Sequence, residues 1–519
     1  MKRRERILMK AVDRMKNNHV LFILLVIPCV MGLTLTPVSG AKPLLNDIAI
    51  SDSVEDELQL DSAVPSHRID VNTIDGVVTL SGSVDNILAK ERAARIARIV
   101  KGVRSVVNQI KVDPPLLRTD AEIREDVEEA LLFDPATDGF EVDVTVQNNH
   151  ATLRGSVDSW QERDLCEKVA KGVKGVKSVN NEIAVSWPEK RLDQEIQREV
   201  EKALMWDAFV DHALIDVTVT DGKVLLSGLV GSAAEKDWAY RDAFVHGVTS
   251  VDDTRLKVER WARDPDLKKE KYAKKSPEEI EGAVRDAFLY DPRVSAFKIT
   301  PEVAEDGFTV ILRGTVDNLK AKWAAGEDAQ NTVGVLNVNN RIKVRPAGAP
   351  SDERIENSIR SALLRDPYLE SYEIAVDVIN GVANLYGTVD TYFEKSQADD
   401  VVSKVNGVIM VDNNLTVQGD TGVFIYDPYV DEWLVQDADW YRDRPRFPTR
   451  SDFRIKTDIE DEFFWSPFVD GDEVTVTVED GVATLTGTVD SWLEYNASAN
   501  NAYEGGAVYV DNDLTVKVP

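Results

Sequence analysis

The chain has 519 residues, 43% of them hydrophobic and 29% charged, with a formal net charge of −30. This is the composition of folded material rather than of a disordered tail, and its acidity leaves no basic footprint for nucleic acid. The only cysteines are Cys29 and Cys166, so no disulfide framework is expected.

Residues 1–41 differ from the rest. Seven Lys/Arg stand among residues 1–19, then Val20 to Leu35 runs without a charge, then PVSGAKP supplies small residues. Basic, apolar, small is the order of an export signal. The apolar run is short for a spanning helix. It reads either as a signal that is removed or as a retained N-terminal anchor. In both cases residues 42–519 are exported, to the periplasm or cell envelope.

From residue 46 onward one phrase recurs: TLSGSVDN (79–86), TLRGSVDS (152–159), LLSGLVGS (225–232), ILRGTVDN (311–318), NLYGTVDT (384–391) and TLTGTVDS (484–491). Its glycines are Gly82, Gly155, Gly228, Gly314, Gly387 and Gly487, three of the five spacings being 73 residues. A second glycine follows each by 19 or 20 residues, ahead of an apolar alternation such as GVIMVDNNLTV (407–417). Repetition at this period marks a tandem array. The units are 46–113, 118–186, 190–259, 276–345, 351–418 and 450–518. A charged linker (260–275) and an aromatic and acidic insertion (419–449) interrupt them.

Each unit reads as helix, strand, strand, helix, strand. In the first the opening helix looks short, SVEDELQL (53–60). In the second, Ile123, Val127, Ala130 and Leu131 take helical spacing, and Thr119 with Glu122 makes a capping box. In the fourth, Ser276, Pro277 and Glu279 do the same. Opening helices stop near FDP (133–135), YDP (289–291), RDP (365–367) and WSP (465–467), where proline ends them. A period-two hairpin follows, turned by Asp-Gly or Asn-Gly in most units. The phrase glycine ends the second strand, for positive φ or for close approach of the next helix. Four residues on, Asn86, Ser159, Ser232, Asn318, Thr391 and Ser491 are N-cap types, with Glu162, Glu235, Glu394 and Glu494 completing capping boxes. The crossover makes strands two and three parallel. The fold class is α+β: a tandem array of small αββαβ domains, each a mixed three-stranded sheet with two helices on one face.

The pattern G-[ST]-V-D, a helix, then G-V-x-x-V-x-N-x-[IL]-x-V resembles the BON domain, a module of bacterial osmotically induced periplasmic and nodulation proteins. The resemblance implies an envelope location, attachment to phospholipid membranes, a link to osmotic stress and no enzymatic activity. The third unit departs from it, with LVGS in the phrase and WDA (206–208) in place of the proline.

Membrane contact is expected from the basic helix AKERAARIARIVKG (89–102), through Lys90, Arg92, Arg95, Arg98 and Lys101. Trp160 and Trp492 are expected to join it. The last unit carries 15 Asp/Glu against four Lys/Arg, so the array is expected to extend an acidic end away from the lipid. Short linkers between several units favour fixed contacts between neighbours. The histidines follow no catalytic or metal spacing, and DGDE (470–473) and DND (511–513) lack a calcium-loop pattern. No catalytic, cofactor or metal residues are expected. The partners expected are a phospholipid surface or envelope proteins. The function is thus a membrane-associated adaptor; the alternative is a scaffold or self-assembling protein that binds protein partners.

Overall fold

A computed structural model of the chain describes residues 45–115, 118–137, 139–187, 191–263, 271, 273–346, 348, 350–370, 373–418 and 450–517. The export signal or anchor, residues 264–270 and 272 of the 260–275 linker and the 419–449 insertion lie outside the described residues. The described residues from Leu45 onward form one compact unit. No described helix is long and apolar enough to cross a membrane.

Six copies of one architecture follow one another. In the fifth, an opening helix (Asp352–Arg365) precedes strands Ile374–Ile379 and Val382–Val389, a second helix (Tyr392–Ser403) and strand Met410–Val417. The middle strand pairs antiparallel with the first and parallel with the third. The other five sheets repeat this order, as the crossover predicts. In the first and fourth repeats the third strand is broken in two, Ser105–Asn108 with Lys111–Val112 and Asn337–Asn340 with Lys343–Val344.

Period two and period 3.6 build each core. On the fifth repeat's first strand Ile374, Val376 and Val378 point in, and Ala375, Asp377 and Ile379 point out. They meet Ile355, Ile359 and Leu363 of the opening helix and Ala398 and Val402 of the second. Each buried aliphatic side chain contributes about 1.5–3 kcal/mol. Every repeat has its own cluster of this kind. Cys166 is a buried side chain of the second.

The phrase glycine has φ of +134° at Gly387, and a Cβ there would overlap the carbonyl oxygen of Glu373. Positive φ is as expected. The close approach is made by the carbonyl preceding the first strand, not by the next helix.

Two further expectations change. The opening helix of the first repeat is full length, Asp47–Leu60, because Asn46 caps it by accepting from the Ala49 N–H at 3.0 Å. The second-helix glutamates do not close capping boxes. Glu235, Glu394 and Glu494 accept instead from the residue before the cap, Gly231, Asp390 and Asp490. Glu235 and Glu494 also reach Asp211 and Asp470 in the loop before the first strand. The boxes at Thr119/Glu122 and Ser276/Glu279 form as read.

Candidate functional site

The basic helix of the first repeat is Ile87–Arg98, capped by Asn86. Its arginines do not form a free face. Arg92 is 4% exposed. Its guanidinium donates from Nε to Asp61 at 2.7 Å and approaches the same carboxylate from Nη2 at 2.6 Å. It also lies over the ring of Phe393, from the fifth repeat, at 5.2 Å. The Lys101 ammonium donates to the Phe464 carbonyl at 2.6 Å and faces that ring. Glu91 pairs with Lys171 of the second repeat at 2.5 Å. Lys90, Arg95 and Arg98 are half-buried. The sequence shows an amphipathic basic helix; the structure lays that helix against other repeats.

Trp160 has a similar place. Its indole N–H donates to the Val248 carbonyl at 2.6 Å, and its ring packs on Phe244 at 4.9 Å, both in the third repeat. Trp492 opens the second helix of the sixth repeat; its side chain lies outside the described residues.

One joint is used three times. The residue before the second glycine donates its N–H to the carbonyl that ends another repeat's opening helix. Lys101 donates to Trp465 at 2.8 Å, Lys174 to Arg365 at 2.7 Å and Val333 to Trp206 at 2.9 Å. Helix ends leave carbonyls without intrahelical partners, and these joints satisfy them. They couple repeats one and six, two and five, and four and three. Side chains add to them: Lys174 donates to the Leu369 carbonyl at 3.1 Å, and Arg365 pairs with Glu129 at 2.8 Å. The expectation of an acidic end extended away from the first repeat does not hold, since the sixth repeat touches the first. Fixed contacts between neighbours are present, and contacts between distant repeats accompany them.

Between repeats one to five lies a cavity of about 1870 Å³, lined by residues such as Arg95, Trp206 and Trp323. Aspartates stand at the helix ends around it, Asp366 buried and Asp134 and Asp207 half-buried. The carboxylates of Asp134, Asp207 and Asp366 accept from Ala136, Phe209 and Tyr368, two residues on. Burial raises all three above the usual carboxylate range, Asp207 and Asp366 to about 6. Asp400 moves the other way. Burial works against it, but Lys320 at 2.8 Å and Lys404 at 2.5 Å hold it well below the ordinary range.

His67, His150, His212 and His246 lie on three separate repeats, and no described group of metal-ligating side chains contains one of them. Neither acidic loop singled out in the sequence forms such a group. The one that does form joins Glu57, Glu462 and Glu504 from the first and sixth repeats. No local spacing announces it, because its members come from three helices.

The BON domain model matches residues 46–114, 119–186, 192–260, 276–346, 351–419 and 451–517. Osmotically-inducible protein Y of Escherichia coli (strain K12) is 32% identical over 145 residues, covering 27% of this chain and 72% of that protein. Outer membrane lipoprotein DolP of Haemophilus influenzae is 26% identical over 140 residues, covering 26% of this chain and 72% of that protein. Among solved structures, the C-terminal domain of CdsD, the structural protein of the type III secretion system of Chlamydia trachomatis, is matched over its whole length. That match covers 41% of this chain at 13% identity, with a TM-score of 0.12.

Proposed function

The chain belongs to the BON domain family, with six copies in tandem, and from that premise we propose that it is a non-catalytic scaffold of the cell envelope, linked to osmotic or envelope stress. The names of its relatives, an osmotically inducible protein and an outer membrane lipoprotein, support the setting. The observation that carries the scaffold reading is the set of joints between repeats, two of which couple repeats distant in sequence. Residues that would make separate membrane feet, Arg92, Lys101 and Trp160, contact other repeats instead. The outward side of the fifth repeat's first strand, Ala375, Asp377 and Ile379, stays exposed, and exposed sheet surface suits protein partners.

A second reading, contact with phospholipid, is favoured by the relative that is an outer membrane lipoprotein. Flotation of residues 42–519 with zwitterionic and anionic liposomes, beside cross-linking in intact envelopes, separates the two. The scaffold reading expects no flotation in physiological salt and a reproducible protein cross-link. Flotation with anionic liposomes that survives without any protein cross-link overturns it in favour of lipid.

A further inference from the structure

Glu57 lies on the opening helix of the first repeat, Glu462 on that of the sixth, and Glu504 ends the second helix of the sixth. One carboxylate oxygen from each falls within 4.8 Å of the other two. That is the span that oxygen ligands occupy around a single hard cation. Two buried oxygens at the cluster have no partner. Glu57 is 9% exposed and its Oε2 accepts no hydrogen bond. Asn501 is 7% exposed; its Nδ2 donates to Glu504, while its carbonyl oxygen Oδ1 accepts nothing. A buried acceptor left without a donor is costly and calls for a ligand.

We propose that Glu57, Glu462 and Glu504 bind one divalent cation of the calcium class and so tie the first repeat to the sixth. The donor set is all oxygen, which suits calcium, magnesium or manganese and disfavours metals that prefer nitrogen and sulfur. Three carboxylates give room and charge for calcium rather than for a water-rich magnesium site. The surroundings hold further negative charge. Asp56, Asp458 and Asp461 lie close enough to act on the cluster. The cation would supply positive charge to a site built from carboxylates. It would also sit beside the joint that Lys101 makes with Phe464 and Trp465, reinforcing one interface from two sides.

The test uses the full chain stripped with a chelator, then titrated at neutral pH in physiological salt. Calcium is followed by calorimetry and manganese by electron paramagnetic resonance. The expected result is one saturable site per chain, shared competitively by calcium and manganese. The double variant Glu57→Gln/Glu462→Gln should lose affinity by at least about tenfold, and Glu460→Gln, an exposed neighbour, should not. Glutamine keeps the shape and removes charge repulsion, so the double variant should fold; a circular dichroism spectrum matching the parent verifies it. The single variant Glu504→Gln repeats the test from the third helix. Absence of a saturable site for both ions, a site that takes only zinc, or equal affinity in parent and double variant overturns the proposal.

Discussion

The ammonium of Lys101 donates to the carbonyl of Phe464 at 2.6 Å, across 363 positions of the chain. The next carbonyl, Trp465, accepts the Lys101 peptide N–H. Trp465 and Phe468 also pack against the core of the first repeat. A chain of tandem modules thereby becomes a body whose first and last members share an interface.

Trp465→Ala should weaken that interface most among single truncations. The ring is half-buried, so a loss of about 2–3 kcal/mol is expected, below the range for fully buried tryptophan. Denaturant unfolding followed repeat by repeat should show the loss in the first and sixth repeats and little change in the third.

Arg92→Ala should destabilise the first repeat by about 3–5 kcal/mol, because it leaves Asp61 as a buried charge without its partner. The paired substitution Arg92→Met/Asp61→Asn should recover most of the loss. Arg98→Ala, at a half-buried position, should cost under about 1 kcal/mol. Thermal melts of the four proteins check the ranking. Equal effects at Arg92 and Arg98 would contradict it.

Gly387→Ala should cost at least about 3 kcal/mol, since the added methyl meets the Glu373 carbonyl at a backbone angle that L side chains avoid. Gly282 provides the contrast. It lies within a helix with open space at its Cβ position, and Gly282→Ala should stabilise by about 0.5–1 kcal/mol.

Asp366 should make stability depend on pH. Burial raises its folded pKa to about 6 from an ordinary 3.8. The folded state therefore holds the proton more tightly than the unfolded chain. The contribution is fully present below about pH 4 and is lost as pH rises through about 6, by roughly 1–3 kcal/mol. Asp366→Asn keeps an acceptor for the Tyr368 N–H and should be the more stable protein above pH 6, with a flatter profile. Unfolding free energies measured across that window check the sign.

Much of this was legible in the chain. Period-two strands, 3.6-period helices and the repeated N-cap residues gave each unit its elements, because they are local. Relations between parts of one unit were harder to see. The first residue of the opening helix clamps the hairpin turn: Asp352 accepts from Asn380 at 2.8 Å and from Gly381 at 3.0 Å, and Asp47, Asp120, Asp193 and Asp452 repeat this. The asparagine in the third-strand motif has a similar bridging role. Asn413 donates to the Lys395 carbonyl at 2.8 Å and accepts from Leu415, fastening helix to strand. A spacing near 28 residues carries no periodic signature, although its recurrence in five units could have been noticed.

Relations between units left no local trace. An amphipathic basic helix looks the same whether its face meets lipid or another repeat, so Arg92 and Lys101 were open to either reading. The glutamate cluster is further removed still, being assembled from the first and last repeats. The acidic loops at 470–473 and 511–513 form no such group among the described residues.

Hydrogen exchange at the Lys101 amide tests the closed arrangement of repeats most directly. Exchange would be compared between the full chain and one ending at residue 418, which lacks the sixth repeat. The account expects protection in the full chain and a loss on the order of tenfold or more after truncation, spreading into residues 47–60. Equal exchange in the two proteins would contradict it, and the repeats would then act as separate modules.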